Sequence, residues 1–258
     1  MHRLFLAEFK RAWIEFKRYP AESVTGVVTF TAVFLGLFLG AKYMAGGATA
    51  HFGMRLDAII VGYLLWSFTI IAFGAISYTV LTESQTGTLE QVYLSPFGPI
   101  KVFLVRAIAG LAFQMALIFG VLVVILLITQ RRLHMTVAVI PPVLTVIIAS
   151  YGLGFLLGGL ALLFKRIGNV LNVSQFALIF LVMTPVESWT GNAKIGGYML
   201  PLVPSAGMIR DIMARGKPFD MGDFVIALGN ALVYFALGML LFSLADRYAR
   251  SKGVIGGY

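Results

Sequence analysis

Six long apolar segments, separated by short stretches that hold nearly all the charged residues, are the feature of this sequence that most constrains its fold. A helix needs about 20 apolar residues to cross about 30 Å of hydrocarbon, and the segments run from about 24–45, 58–81, 107–129, 137–163, 170–186 and 224–245. A membrane-spanning strand would appear as a shorter segment that alternates apolar and polar residues. The pattern therefore predicts an all-α membrane protein with six transmembrane helices in a single transmembrane domain, 1–258.

Composition excludes the main soluble classes. Of the 258 residues, 59% are apolar and 12% are charged, whereas a soluble domain carries about 25% charged residues. The hydrophobicity argues against disorder, and the lack of cysteine argues against a disulfide-stapled secreted domain. The formal charge is +9, but the basic residues lie at the ends of the apolar segments, as expected for contact with anionic lipid. No nucleic-acid partner is predicted.

The loop charges predict the orientation of the chain. An even number of spans puts both termini on one side. Twelve of the 20 Lys and Arg residues lie on that side, in the N-terminal segment, the 82–106 and 164–169 loops and the C-terminal tail. Cytoplasmic loops carry an excess of Lys and Arg. Both termini are therefore expected in the cytoplasm.

The first 22 residues show an amphipathic helical pattern. Aromatic residues recur there at spacings of four, four and three, at Phe5, Phe9, Trp13 and Phe16. Charged residues occupy the other side, and Tyr19-Pro20 ends the pattern. We predict a helix that lies in the membrane interface with its aromatic face against the acyl chains. It serves either as a topology anchor or as a contact for a partner.

The segment 83–96, between the second and third spans, predicts a short helix. Gly87 is expected to break the preceding helix, and Thr88 with Gln91 has the spacing of a capping box. Three apolar or aromatic side chains then share one face, at Leu89, Val92 and Tyr93. We expect an apolar knob exposed to the cytoplasm, which usually marks a protein partner; the alternative is a helix folded back on the membrane surface.

These residues resemble the coupling-helix region of type-2 ABC exporter permeases, especially the drug-export branch. The shared pattern is E-x-x-x-G-T-L-E-x-L-x-x-S-P, and the matching positions are Glu83, Gly87, Thr88, Leu89, Glu90, Ser95 and Pro96. Val92 stands where Leu is commoner. The likeness covers the whole chain, since such permeases also begin with an amphipathic helix and have six spans.

The resemblance also concerns the segment before the last span. The family inserts a re-entrant hairpin there, and 190–210 resembles its Pro-rich turn followed by a helix ending in Arg, here Arg210. Val203 replaces the usual Asn. Glycine and proline interrupt this segment too often for a span, and a re-entrant piece is allowed where protein shields its backbone.

What the resemblance implies is a half-transporter without enzymatic activity of its own. Two permease subunits, identical or not, would work with two separate ATPase subunits that bind ATP and Mg, and this chain needs no cofactor or metal. The residues implied in coupling are Glu83, Gly87, Thr88, Leu89, Glu90, Val92 and Tyr93. Glu83 is expected to pair with the basic N-terminal helix. The protein is expected in the plasma membrane, which is the inner membrane in a prokaryote.

The spans contain almost no ionisable groups, which disfavours proton-coupled transport and voltage sensing. In similar exporters the second and fifth spans border the central cavity. The resemblance thus implies substrate contacts at Phe73, Asn172 and Phe176, although packing between helices is the default role of such aromatic residues. Glu187 is expected near the outer surface, as an exit gate or as an ordinary carboxylate at headgroup level.

These features predict ATP-driven export of amphipathic compounds, drug-like or lipid-like, out across the plasma membrane. Export of a lipid-linked glycan or lipid by the same architecture is the first alternative. A passive channel or a membrane assembly factor would share the number of spans. A membrane enzyme is not favoured, because the three histidines form no metal-binding pair such as H-E-x-x-H.

Overall fold

The structure of the protein is a computed structural model that describes residues 2–44, 49–130, 133–164 and 166–252. Within these ranges the chain forms helices and no strand. The helices are α1 (His2–Arg18), α2 (Pro20–Met44), α3 (Thr49–Thr86), α4 (Leu89–Leu94), α5 (Pro99–Thr129), α6 (Ile140–Leu163), α7 (Gly168–Met183), α8 (Gly191–Met199), α9 (Val203–Met213) and α10 (Met221–Ser251). Two short 3-10 turns, Val137–Val139 and Val186–Ser188, precede α6 and follow α7.

Six helical segments are long and apolar enough to cross a membrane, which confirms the six predicted spans. They are Pro20–Gly40, Leu56–Thr86, Pro99–Thr129, Val137–Leu163, Gly168–Ser188 and Met221–Ser251. Several extend beyond the apolar segments, because backbone hydrogen bonding continues a helix into polar residues as readily as into apolar ones. The predicted end of the first span, residue 45, lies outside the described residues. The fold is that of a multi-pass α-helical membrane protein.

The centre of the bundle is α6, which packs between α3 and α10. Close approach depends on glycine, since a Cβ atom at Gly154 would lie 2.9 Å from the Phe73 carbonyl oxygen on α3. A Cβ atom at Gly238 would lie 1.9 Å from the carbonyl oxygen of Gly152, where α10 crosses α6. The largest buried side chains, such as Phe155 and Phe242, fill the space beside these crossings with rings 5.3 Å apart.

The N-terminal helix α1 lies against α5. It ends at Arg18 and α2 begins at Pro20, as the Tyr19-Pro20 pair predicts. Its aromatic side chains surround Phe113 of α5, with ring centroids 5.5 Å away for Phe9, 5.9 Å for Trp13 and 5.4 Å for Phe16. The aromatic face of α1 therefore contacts the bundle and also stays partly exposed.

The segment between α7 and α10 forms a helical hairpin, α8–α9. Nearly all of α9 is buried, although it is only 11 residues long. Leu202, at the turn into α9, has a φ of 69° in the left-handed region. The C-terminal end of α8 is held by α10, where the Tyr234 hydroxyl donates to the Met199 carbonyl oxygen at 2.8 Å. Asn230 Nδ2 donates to the carbonyl oxygens of Tyr198 and Leu200, both at 3.1 Å.

Candidate functional site

The short helix α4 begins where Gly87 ends α3. Gly87 has a φ of 75°, which confirms the predicted helix break. The predicted capping box is wrong, because Thr88 precedes the helix with φ −80° and ψ −7° and makes no side-chain cap bond. An N-cap side chain reaches the first helical amides from an extended backbone. The Thr88 hydroxyl instead donates to the carboxylate of Glu83, at the end of α3.

The apolar face of α4 points into the protein. Leu89 and Val92 are buried in the main apolar core, so the predicted exposed knob formed by this face is wrong. The outward face consists of Glu90, Gln91 and Leu94, and Leu94 is 84% exposed. A helix of six residues can bury only one of its faces. In α4 that face is the one with Leu89 and Val92, because burial of two aliphatic side chains is favourable.

Glu83 is part of an ion-pair network that joins three helices. Arg106 Nη1, on α5, lies 2.6 Å from Glu83 Oε1. Arg106 Nε lies 3.2 Å from Glu8 Oε2 on α1. The expected direct pairing of Glu83 with a base of α1 is therefore wrong: the base comes from α5, and α1 contributes a second carboxylate. Sequence reasoning missed Arg106, because 23 residues separate it from Glu83.

The other side of α4 is attached to the C-terminal end of α10. The Tyr93 hydroxyl donates to Asp246 Oδ1 at 2.5 Å. Arg250 Nη2 lies 3.0 Å from Asp246 Oδ2, and the Arg250 guanidinium sits 4.7 Å from the centre of the Tyr93 ring. Burial, with a smaller effect from the bond to Asp246, raises the pKa of the Tyr93 hydroxyl above its ordinary value. Tyr93 therefore remains a hydrogen-bond donor at neutral pH.

The predicted substrate residues fall into two separate places. The Tyr78 hydroxyl, on α3, donates to Asn172 Oδ1 at 2.8 Å and accepts a bond from Gln175 Nε2 at 2.7 Å. One turn further along α7, Phe176 is 67% exposed. Phe73 is 1% exposed and belongs to the main core. It lies five residues before Tyr78, a rotation of about 140° around the helix. Phe73 is a packing residue in this structure, and only Asn172 and Phe176 share a surface.

Glu187 forms a buried ion pair. Its Oε2 lies 2.8 Å from Arg210 Nη2 on α9, and the two side chains are 5% and 4% exposed. The α8–α9 hairpin covers Glu187, and its expected place near the outer surface, as an exit gate or as a carboxylate at headgroup level, stays a prediction. Arg210 Nη2 also donates to the Thr184 carbonyl oxygen at 3.0 Å, and its Nη1 donates to the carbonyl of Val182. Arg210 therefore holds the C-terminal end of α7 against α9.

Comparison of the chain with protein-family models gives no match, and no curated protein sequence is significantly similar to it. In the described part of the chain no three His, Asp or Glu side chains are grouped as metal ligands would be. The fold defines the class, a multi-pass α-helical membrane protein.

Proposed function

We propose that this protein is the transmembrane permease subunit of an ATP-driven exporter of the type-2 ABC class and moves amphipathic compounds out across the plasma membrane. The single observation that carries the proposal is the short helix α4, which joins the second and third spans and has the sequence pattern of a coupling helix. Six spans and an N-terminal helix packed on the third span support the same assignment.

The outward face of α4 is suited to docking of a separate ATPase subunit. Leu94 supplies an exposed apolar side chain, and Glu90 and Gln91 beside it supply polar groups. An exposed apolar residue with polar neighbours is typical of a protein–protein contact. In this scheme the ATPase binds ATP and Mg, and a second permease subunit completes the pathway.

The inner face of α4 connects α4 to the spanning helices, so that a movement of α4 would be transmitted to them. Thr88 is bonded to Glu83 of α3, and Tyr93 is bonded to Asp246 of α10. Leu89 and Val92 pack in the core beside these bonds. A displacement of α4 by a docked ATPase therefore acts on two spanning helices at once.

The N-terminal helix and the α8–α9 hairpin fit the membrane placement that the proposal requires. The exposed edges of Phe9, Trp13 and Phe16 suit the acyl boundary on the cytoplasmic side. As a re-entrant element, α9 satisfies the rule that non-spanning backbone at membrane depth is shielded by protein, since its residues are almost all buried.

The cargo pathway is proposed along the surface that α3 and α7 share. Exposed Phe176 offers an aromatic surface, and the Tyr78–Asn172 pair offers hydrogen-bonding groups. A mixture of rings and amides suits amphipathic compounds better than strongly hydrated ions. Phe73 would reach this cargo only after a rearrangement of the α3–α6 contact.

The docking role is tested with the double variant Glu90→Lys/Leu94→Asp. Both side chains are exposed, so the variant should fold. We expect it to lose copurification with an ATPase from native membranes and to lose energy-dependent efflux of an amphipathic dye. The control is Arg247→Ala, an exposed residue on α10 that takes no part in the α4 contacts. Unchanged copurification and efflux would refute the proposal, and dye transport by the isolated chain without ATP would favour a passive channel.

A further inference from the structure

A polar cavity of about 570 Å³ lies between α1, α2, α3 and α5, beside the Glu83–Arg106 ion pair. Its walls carry four carboxylates, from Glu8, Glu15, Glu22 and Glu83, and two guanidinium groups, from Arg11 and Arg106. The net charge of the lining is therefore −2. The whole chain is basic, with a formal charge of +9 and 11 acidic residues, so more than a third of its acids line one cavity.

The ion pairs around the cavity do not neutralise this charge. Arg106 is shared between Glu8 and Glu83, and Arg11 Nε lies 3.0 Å from Glu15 Oε1. The Glu22 carboxylate has no ion-pair partner among the described residues. The cavity thus offers net negative charge, which favours a cationic ligand.

A second cavity of about 270 Å³ adjoins the first and shares Glu15, Glu22 and Gln114 with it. Its remaining walls are largely aromatic and apolar, and they include Phe16, Tyr19, Phe113 and Leu117. The rings of Phe16 and Phe113 lie 5.4 Å apart. Aromatic faces attract both cations and apolar groups, so the acidic cavity continues into a surface for an apolar tail.

We propose that the two joined cavities bind an amphiphilic cation, with the charged head among the carboxylates and the apolar part against the rings of α1 and α5. Glu22 lies two residues after Pro20, where the first span begins, and Glu83 lies three residues before Thr86, where the second ends. This position matches the boundary between water and hydrocarbon, where an amphiphile places its head. The ligand is an ammonium-bearing lipid or a soluble drug-like cation, since both present the same chemistry.

The proposal deepens the proposed function, because it identifies the exported compound as a cation. Tyr78 lines the acidic cavity, and its hydroxyl is bonded to Asn172 on the α3–α7 surface. The cation would then enter beside α1 and pass Tyr78 into the pathway. The role of the cation as cargo rests on the proposed permease function. The binding of the cation to the chain does not depend on that function.

The test uses the purified full chain in dodecyl maltoside micelles, which contain no ammonium group. Equilibrium dialysis measures the binding of tetraphenylphosphonium, with empty micelles as background. Tetraphenylborate, which has the same shape and the opposite charge, is the matched ligand control. We expect the phosphonium to bind and the borate not to bind. Equal binding of the two ions, or no phosphonium binding above background, would overturn the proposal.

The double variant Glu15→Gln/Glu22→Gln removes two exposed carboxylates that line both cavities and leaves the Glu83–Arg106 pair intact. We expect about fivefold weaker phosphonium binding, as for the loss of two exposed charge interactions. Asp223→Asn, an exposed carboxylate at the start of α10, should leave binding unchanged. Equal affinities of wild type and the double variant would overturn the assignment of this cavity.

Competition identifies the source of the ligand. A short-chain lysyl-phosphatidylglycerol, a lipid whose headgroup has a net charge of about +1 at neutral pH, points to an ammonium-bearing lipid if it displaces the phosphonium, and its failure to do so points to a soluble cation. Failure of the dialysis experiment would leave the permease function intact, because ATPase copurification tests that function separately.

Discussion

Arg210 and Glu187 form a two-pronged ion pair inside the protein, with Nη2 to Oε2 at 2.8 Å and Nε to Oε1 at 2.9 Å. The pair connects α9 to the turn that follows α7. The guanidinium also donates to the carbonyl of Val182, in the last turn of α7, and to that of Thr184, directly after α7. The α8–α9 hairpin is therefore held at its base by one arginine.

Replacement of Arg210 by Met should strongly destabilise the protein. The change leaves the buried Glu187 carboxylate without its main partner, and breaking a buried pair in this way costs about 3–5 kcal/mol. The midpoint of thermal unfolding in detergent measures the effect. Arg215→Met is the control, because Arg215 is 38% exposed and its contact with Glu187 is 3.3 Å, so its loss should cost under about 1 kcal/mol.

The double variant Glu187→Met/Arg210→Met separates loss of the pair from loss of the arginine. Replacement of both charges by apolar groups is less damaging than an unpaired buried charge. We expect the double variant to unfold at a higher temperature than Arg210→Met alone. A double variant that is the less stable of the two would show that an unpaired Glu187 carboxylate is not what destabilises Arg210→Met.

Leu89 and Leu94 lie on the same short helix in opposite environments, and substitution with Asp should distinguish them. Leu89 is buried, so Leu89→Asp places an unpaired charge in the core and should lower the free energy of unfolding by about 3 kcal/mol. Leu94→Asp should change the free energy of unfolding by less than about 0.5 kcal/mol. Thermal unfolding midpoints of the two variants provide the comparison. Equal losses would mean that α4 does not pack on the core through Leu89.

Asp246 holds α4 against α10, and its removal should loosen α4. Asp246→Ala takes away the acceptor of the Tyr93 hydroxyl, a hydrogen bond to a charged group worth about 1.5–3 kcal/mol. We expect the amides of 88–95 to exchange with deuterium at least about tenfold faster, because local opening becomes easier. Arg247→Ala, on the exposed side of α10, should leave the exchange unchanged. If amide exchange in Asp246→Ala is no faster than in the wild type, α10 does not take part in the proposed transmission of movement from α4.

Gly238 permits a close crossing of α10 over α6, and Gly238→Ala should disrupt it. The new Cβ atom would lie 1.9 Å from the Gly152 carbonyl oxygen, so α6 and α10 must separate. Overpacking of this kind costs about 1–3 kcal/mol, occasionally more. Gly229→Ala on the same helix is the control, since nothing lies within 4 Å of its Cβ position. It should be neutral or slightly stabilising, and the thermal unfolding midpoint distinguishes the two variants.

Much of the fold could be predicted from local sequence. Long apolar segments predicted all six spans, Tyr19-Pro20 predicted the junction of α1 and α2, and Gly87 predicted the end of α3. Each of these features depends on residues close together in the chain. The roles of α4 in docking and of Asn172 and Phe176 in transport stay predictions.

Apart from the Thr88 cap, which failed on its backbone conformation, the errors concern where a side chain points. Glu83 was expected to pair with α1, and its base is Arg106 of α5. Leu89 and Val92 were expected outside and are buried. Glu187 and Phe73 are buried as well, and their expected roles near the outer surface and in substrate contact stay predictions. The acidic cavity was not predicted either, because its carboxylates come from three helices.

The amino-acid order alone predicted six helices long and apolar enough to cross a membrane and the ends of α1 and α3, because hydropathy and backbone hydrogen bonding act over a few turns of chain. Only the tertiary structure decided which side of α4 faces the core, which arginine meets which carboxylate and where acidic groups converge. Those outcomes depend on the rotation of each helix about its axis, and that rotation is set by packing against helices far away in sequence.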